Sequence, residues 1–580
     1  MRTSILPRLG ALALMACVAV AALPAAAAAA TITVASAVVG ASLVDRAALV
    51  ELFYPLHQAA TRYMLRTGMM MAFGPEVSAE TIALMKTAQG SPVDDPLLKQ
   101  FVQPGSATTG LQLYNLEAPA KNLFPILTPL RNQIPRVGGG FAIQANWKAI
   151  TNINVGNTRA GLSEGKRGGV INYAQSEYFA AFRGFGLENY VTFEAQWAGK
   201  GFDDIKALSV SQLLSATMIQ EERLILGGNG TLALGTTPTP TLSTATTGGT
   251  MVAQTQSVIC IALGLQAYLD LAGANNGAIG QQFNATTSAL SGQITRTNAD
   301  GTTDTFGDGS AQKSAAATIV TTGATSTVTA SVSVVNGAVG YAWYVGVAGS
   351  ERLYGVTTIN SIIMTAQANG GAQLASAVAN SDNSTSALDF DGLLTQTFKP
   401  GSNAYVGVQA NGTLGTGTGF TSDGAGGVFE FEAAFVNFYN KYRLSPSVCY
   451  VHPQELVNLS KKIIGNSGAP LLRLTDAASD FTNIMGGAVV GSYMNKVTGT
   501  VVPIVVHPNM PPGTVFFFTR NLPYPLSGVT DPMRMLMRQD YYQIEWPLKS
   551  RKYEYFVGAD GVLQHFAPFS MGVITNIGNV

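Results

Sequence analysis

The sequence predicts an α+β protein of several units, and three observations predict it. A helical run follows Asp203 and Asp204, two-residue alternation fills the stretch around Val328, and helix and strand patterns mix again after Asp389. At 580 residues the chain exceeds what one hydrophobic core usually serves, so at about 150 residues per domain roughly three or four domains are expected. Its 47% hydrophobic and 9% aromatic content is that of a folded chain. Charged residues make up 12%, while 63 glycines with many Ser and Thr supply the polarity. That balance suits a β-rich protein whose surface is largely covered by neighbours.

Lysine plus arginine equals aspartate plus glutamate at 34 each, so no net field concentrates nucleic acid or an anionic membrane at the surface. Cys17, Cys260 and Cys449 lie far apart and form neither a disulfide framework nor a metal-ligand spacing. His57, His452, His507 and His565 are equally scattered, and each reads as a cap or a packed surface histidine. No Gly-x-Ser-x-Gly elbow, phosphate loop or histidine metal motif stands out. The series Gly412, Gly415, Gly417 and Gly419 reads as flexible loop. Asp300, Asp304 and Asp308 lack the ligand order of a calcium loop and read as part of a polar hairpin. Glu221 and Glu222 point about 100° apart on a helix and read as solvated or interface charges. No catalytic, cofactor-binding or metal residue is therefore expected, and no enzyme.

Residues 1–30 carry Arg2 and Arg8, an apolar run from Leu9 to Leu23, Pro24 and small residues to Ala30, the pattern of a secretory signal. The alternative is a disordered or helical extension. No later segment is long and apolar enough to span a bilayer. Residues 31–110 form an arm, with short amphipathic helices at 48–65 and 78–86. In 111–235, the prolines of Phe124–Arg136 exclude regular helix and suggest an extended, packed strip. A long β-hairpin follows, with strands at Phe141–Val155 and Val170–Phe182. Its tip carries Arg159, Glu164, Lys166 and Arg167 among glycines, with Leu162 as the large apolar side chain, so it has no core of its own and must project. Asp203 or Asp204 then caps a helix running to about Leu226, with Val210, Leu213, Leu214, Thr217, Met218 and Ile225 at helical spacing. Gly227-Gly228 stops it. At about 23 residues it would be roughly 35 Å long, a spine linking parts.

Composition changes at Thr236-Thr237-Pro238-Thr239-Pro240, and 236–383 reads as a separate all-β unit. Val328, Ala330, Val332 and Val334 alternate with Thr329, Ser331 and Ser333, and Asn336-Gly337 turns the chain toward Tyr341, Trp343 and Val345. A buried Trp343 on a central strand suits an immunoglobulin-like sandwich. Residues 384–580 return to mixed structure. Helices are expected at 428–442 and from Pro453 to near Gly465, and strands at 448–451, 501–506 and 515–519. Further strands are expected at 541–546, 552–557 and 562–566.

Three stretches resemble the major capsid proteins of tailed bacteriophages. Glu221-Glu222-Arg223-Leu224-Ile225-Leu226-Gly227-Gly228-Asn229-Gly230 is similar to that family's spine helix and its exit. Val505-Val506-His507-Pro508-Asn509-Met510-Pro511-Pro512-Gly513-Thr514 resembles a strand-turn-strand of its axial domain. Asp540-Tyr541-Tyr542-Gln543-Ile544-Glu545-Trp546-Pro547 with Arg551-Lys552-Tyr553-Glu554 resembles its closing peripheral strands. In order, and with the hairpin before the helix, they cover roughly 110–235 and 385–580.

The resemblance implies the capsid fold, with Ala145–Arg183 as the extended loop that overlaps a neighbour, peripheral and axial α/β domains, and 236–383 as an inserted domain. It implies self-assembly into hexamers and pentamers of an icosahedral shell around double-stranded DNA, inside the host cytoplasm, with no cofactor and no membrane. Scaffolding, portal and decoration proteins, and packaged DNA held by weak non-specific contacts, are the implied partners. Arg159, Glu164, Lys166 and Arg167 become candidate inter-subunit contacts, and Lys166 the candidate for a covalent link to a neighbour's asparagine. Two other readings stand beside it: an exported surface or adhesion protein, if the signal is genuine, and a host nanocompartment shell of the same fold.

Overall fold

The computed structural model describes residues 127–152, 161–168, 174–199, 204–274, 282, 289–465, 489–524 and 531–578. Contacts divide the chain into Met1–Lys121 and Asn122–Val580, and every described residue belongs to the second unit. The signal-like segment, the arm helices, Cys17, His57, Arg159 and Asp203 lie outside the described residues.

In chain order the first part gives β1 (Arg136–Val137), β2 (Gln144–Asn152), β3 (Ala174–Ala181), β4 (Arg183–Thr192), α1 (Phe193–Gly199) and α2 (Ile205–Gly227). The middle gives β5 (Thr241–Ala245), β6 (Thr255–Leu263), α3 (Leu265–Ala274), β7 (Gln293–Thr297), β8 (Thr303–Gly307), β9 (Ala317–Val320), β10 (Thr327–Ser331), β11 (Gly340–Gly346), β12 (Arg352–Thr357) and β13 (Ser361–Met364). The last part gives α4 (Leu393–Phe398), β14 (Tyr405–Val408), α5 (Phe429–Tyr442), β15 (Val448–Val451), α6 (Pro453–Gly465), β16 (Ser492–Met494), β17 (Val501–Val506), β18 (Val515–Phe518), β19 (Met533–Glu545), β20 (Lys552–His565) and β21 (Gly572–Thr575). The protein is a mixed α/β chain with many sheets and few helices.

The Asp204 carboxylate accepts the Ala207 N–H at 3.1 Å and caps α2. The helix has 23 residues, about 35 Å, and packs on β4 and β20. It ends at Gly227, as the Gly227-Gly228 pair predicts, with Gly228 in an extended rather than a left-handed conformation, φ −55° and ψ 141°. Its end is set by close approach of the returning chain: a Cβ at Gly228 would lie 2.5 Å from the Phe390 carbonyl oxygen, and one at Gly392 2.5 Å from that of Leu224.

One sheet has the order β1-β19-β20-β4. Its strand β20 absorbs what the sequence suggests are two separate pieces. Lys552–Val557 and Val562–Phe566 fall mostly within β20, because Gly558 to Gly561 continue the ladder with β4, from Gly186↔Gly558 to Arg183↔Gly561, instead of turning. The expected extended strip at 124–136 also differs where it is described. Asn132 N–H donates to the Thr128 carbonyl and Ile134 N–H to that of Leu130, a tight turn that buries Leu130 before β1 begins.

Two sheets, β13-β10-β5 and β12-β11-β6-β9, draw all their strands from residues 241–364. Val328, Ala330, Trp343, Cys260 and Ile362 share one apolar cluster between them. Trp343 is fully buried on the inner strand β11 and donates Nε1–H to Thr357 Oγ1 at 2.8 Å. The alternation ends at Val332, since Val334 is exposed, and Gly337 makes the turn at φ +89°. The expectation of an all-β segment is corrected by α3. Its apolar Leu265, Tyr268, Leu271 and Ala272 recur at helical spacing and are buried. Asp300 and Asp304 do sit in a polar hairpin, β7–β8, where Arg296 pairs with Asp304 at 2.8 Å.

The last sheet is mixed, in the order β14-β21-β18-β15-β17-β16. β15 lies between β17, parallel to it, and β18, antiparallel to it. Phe431, Phe435 and Phe438 of α5 pack on Phe517 of β18.

Candidate functional site

β2 and β3 form the expected antiparallel hairpin, from Gln144↔Ala181 to Asn152↔Ala174. Its root is docked rather than free. Ala145, Trp147, Ala149 and Thr151 alternate inward and are buried. Trp147 Nε1–H donates to the His565 carbonyl, Ile150 N–H to that of Phe566, and Asn403 Nδ2–H to that of Thr151, each at 2.8 Å. The opposite face is open. Phe179 is 72% exposed opposite Asn146, and Lys148 pairs with Glu177 across the strands at 3.5 Å. Before β2, Phe141 and Ile143 are each 81% exposed. Such side chains on one arm form an apolar surface without cover from the described residues.

The described tip, residues 161–168, is exposed throughout, Leu162 included. Glu164, Lys166 and Arg167 form no ion pair with another described residue. The described tip therefore carries charge without an ion-pair partner among the described residues, while Arg159 is not one of them.

Around α2 lies a buried knot of charge that sequence reasoning missed. Glu221 and Glu222 of α2 are both fully buried, not solvated. Glu221 accepts from Arg131 Nε at 2.7 Å, from Arg136 and from the Tyr541 hydroxyl. Arg136 reaches on to Asp540 at 2.5 Å. Burial, then the Glu221 charge, pushes the Tyr541 phenol above its usual range. Burial works against the charge on Arg136, but hydrogen bonds to Asp540 and the Glu221 carboxylate outweigh it and raise its pKa. Glu222 accepts the Leu130 N–H at 2.8 Å and the Arg131 N–H at 2.7 Å.

His507 completes the set. Its Nδ1 accepts the Asn509 N–H at 3.2 Å, which assigns the ring proton to Nε2, 2.7 Å from Glu222 Oε1. Two adjacent helix residues thus tie α2 to the 128–137 segment, to β19 and to the turn after β17. The sequence offered little sign of this beyond the pairing of acids itself, since the partners lie between 85 and 320 residues away.

The histidines divide. His452 is a cap, its Nδ1 accepting the Gln454 N–H at 3.1 Å, and burial lowers its pKa to about 4. His507 and His565 are not surface residues as expected; both are buried. Glu455 is buried too, which raises its pKa to about 7, and Oε1 accepts the Gly513 N–H at 2.9 Å. Cys260 and Cys449 are free buried thiols. Among the described residues no group of three or more His, Cys, Asp and Glu is placed to hold a metal ion, and no described helix is long and apolar enough to cross a membrane.

No family model and no curated protein matches the chain. The solved structures it is similar to include phage capsids, the capsid of a GTA particle and an encapsulin. The native GTA particle capsid has 8% identity over 82% of this chain and 96% of that one, with a TM-score of 0.34. The capsid of Cyanophage P-SCSP1u has 8% identity over 83% and 99%, with a TM-score of 0.33. The holo-SrpI encapsulin from Synechococcus elongatus PCC 7942 has 13% identity over 33% of this chain, which spans 57% of the encapsulin's length, with a TM-score of 0.21.

Proposed function

We propose that the chain is a structural, non-enzymatic subunit that self-assembles into a closed icosahedral phage or prophage shell enclosing double-stranded DNA. One observation carries the reading: the hairpin ends in Glu164, Lys166 and Arg167 with no partner among the described residues, and its flank bears exposed Phe141, Ile143 and Phe179. A folded subunit that holds charged and apolar surface away from its own core is completed by a second copy. In this reading Arg159, Glu164, Lys166 and Arg167 meet acidic or amide groups of the adjacent subunit, and α2 transmits load between the two α/β parts. Residues 236–383 form an inserted domain facing outward. Its ends support this, because Gly235 N–H donates to Asp382 Oδ2 at 2.7 Å and Asn229 Nδ2–H to the Ser384 carbonyl at 2.8 Å, so the chain leaves and returns at one place.

Exposed pairs contribute about 0–1 kcal/mol each, yet symmetry repeats them at every subunit. The double reversal Lys166→Glu with Arg167→Glu should leave thermal unfolding of the isolated subunit within a degree or two, roughly the effect of under 0.5 kcal/mol. It should also suppress shell formation in sedimentation. Normal yields of shells from the double reversal would remove the tip from the interface.

A further inference from the structure

The root of the hairpin is fastened over a buried histidine that has no hydrogen-bond partner. His565, the last residue of β20, is 1% exposed, and neither Nδ1 nor Nε2 meets a partner. Two hairpin rings close over it edge-on, Tyr178 of β3 at 4.5 Å and Trp147 of β2 at 5.6 Å between centroids. The hairpin's own hydrogen bonds go to the main chain beside that ring, from Trp147 Nε1 to the His565 carbonyl and from Ile150 N to that of Phe566. Docking therefore places an imidazole where only its neutral form is tolerated, because an imidazolium there would keep two N–H donors without acceptors.

The charged groups around the ring do not relieve this. Lys399 disfavours and Asp391 favours a proton on His565, and the two pair with each other at 3.1 Å. On β19, Arg534 is taken up by Gln564 at 2.9 Å and lies over the Phe566 ring. On the hairpin, Lys148 and Glu177 pair on the outer face, and burial pushes the Tyr178 phenol up, so it stays neutral. Burial is the largest influence and holds His565 at about 3 against the ordinary 6.5.

We propose that His565 is an acid-sensitive latch: uptake of a proton by its ring releases the β2–β3 hairpin from the body of the subunit. With the hairpin open the ring meets water and titrates near 6.5, whereas docked it resists the proton down to about 3. The docked state is therefore unpenalised above pH 6.5. It loses about a factor of ten in its docking equilibrium for each unit of acidification below that, until the docked ring itself titrates. In a shell, release would free the arm to reseat against a neighbour. That consequence rests on the shell reading; the release itself does not.

The test is hydrogen exchange of the full chain by mass spectrometry from pH 7.5 to 4.5, corrected for the intrinsic pH dependence of exchange. Opening of residues 144–152 should rise about tenfold per pH unit below 6.5 in the wild type, while His565→Phe, which keeps the ring and removes the titration, should show a flat profile. Unchanged protection of the wild-type hairpin down to pH 4.5, or the same slope in His565→Phe, would overturn the latch. Should His565→Phe not fold, Trp147→Phe decides, because losing the indole hydrogen bond weakens docking. Its opening should then reach any given level at a higher pH with the slope kept, and a profile superimposed on the wild type overturns the proposal. A hairpin that opens with acid in a protein that never assembles would count against the shell reading alone.

Discussion

Glu221 and Glu222 are neighbours in sequence but point about 100° apart on α2, and that angle lets each carboxylate take a different set of partners. Glu221 faces the guanidinium groups of Arg131 and Arg136 and the Tyr541 hydroxyl, and Glu222 faces two main-chain N–H groups and His507. The angle was readable from the sequence, whereas burial was not, because charge compensation comes from residues that only the fold brings near. A buried charge with its partner removed costs roughly 3–5 kcal/mol. Glu221→Gln, which preserves shape and loses the charge, should lower stability by that order in denaturation followed by circular dichroism. A loss under about 0.5 kcal/mol, the range of ordinary surface substitutions, would show that the two arginines find water instead. His507 and His565 teach the same lesson, for nothing in their sequence neighbourhoods separates them from the cap His452.

At the scale of elements, local signals fared well where the physics is local. The Asp204 cap and the helical spacing locate α2, the hairpin pattern about a glycine-rich tip locates β2 and β3, alternation locates β10, and Pro453 opens α6. The misses arise where tertiary contacts decide. Gly558 to Gly561 look like a break but are held in a ladder by β4, and α3 hides in a segment whose composition is that of a β-sheet protein. The 236–383 segment was expected to touch little else. It nevertheless donates from Asn336 Nδ2 to the Phe398 carbonyl, from Asn360 N–H to Asn576 Oδ1, and accepts the Gly415 N–H at Ser361 Oγ. Replacing residues 236–381 by a short Gly/Ser linker should still leave a folded chain, because the entering and leaving segments are joined by the hydrogen bond from Gly235 to Asp382. The lost hydrogen bonds should lower its stability by roughly 0.5–1.5 kcal/mol each, and removal of Leu263, Leu265 and Tyr268 from the buried cluster they share with Leu226, Phe390 and Leu393 should lower it further. Soluble product with a cooperative but earlier melting transition is the expected result, and aggregation of every linker variant would show that the remaining chain does not fold without the segment.

For the whole molecule, the property on which the proposed assembly turns is the apolar and charged surface that the described residues leave exposed on the hairpin. α2 is held at three places by its two glutamates, and the hairpin and the residues before it carry exposed Phe141, Ile143 and Phe179. Fold class and the hairpin were legible because periodicity and turn chemistry are local; the docking of the hairpin root on His565 was not, because Trp147 meets that residue across 418 positions of sequence. The direct measurement is electron microscopy with light scattering on the purified chain, with and without a co-expressed scaffold or protease. Closed shells of uniform diameter are the result expected. A monomer at every accessible concentration and salt would contradict the account.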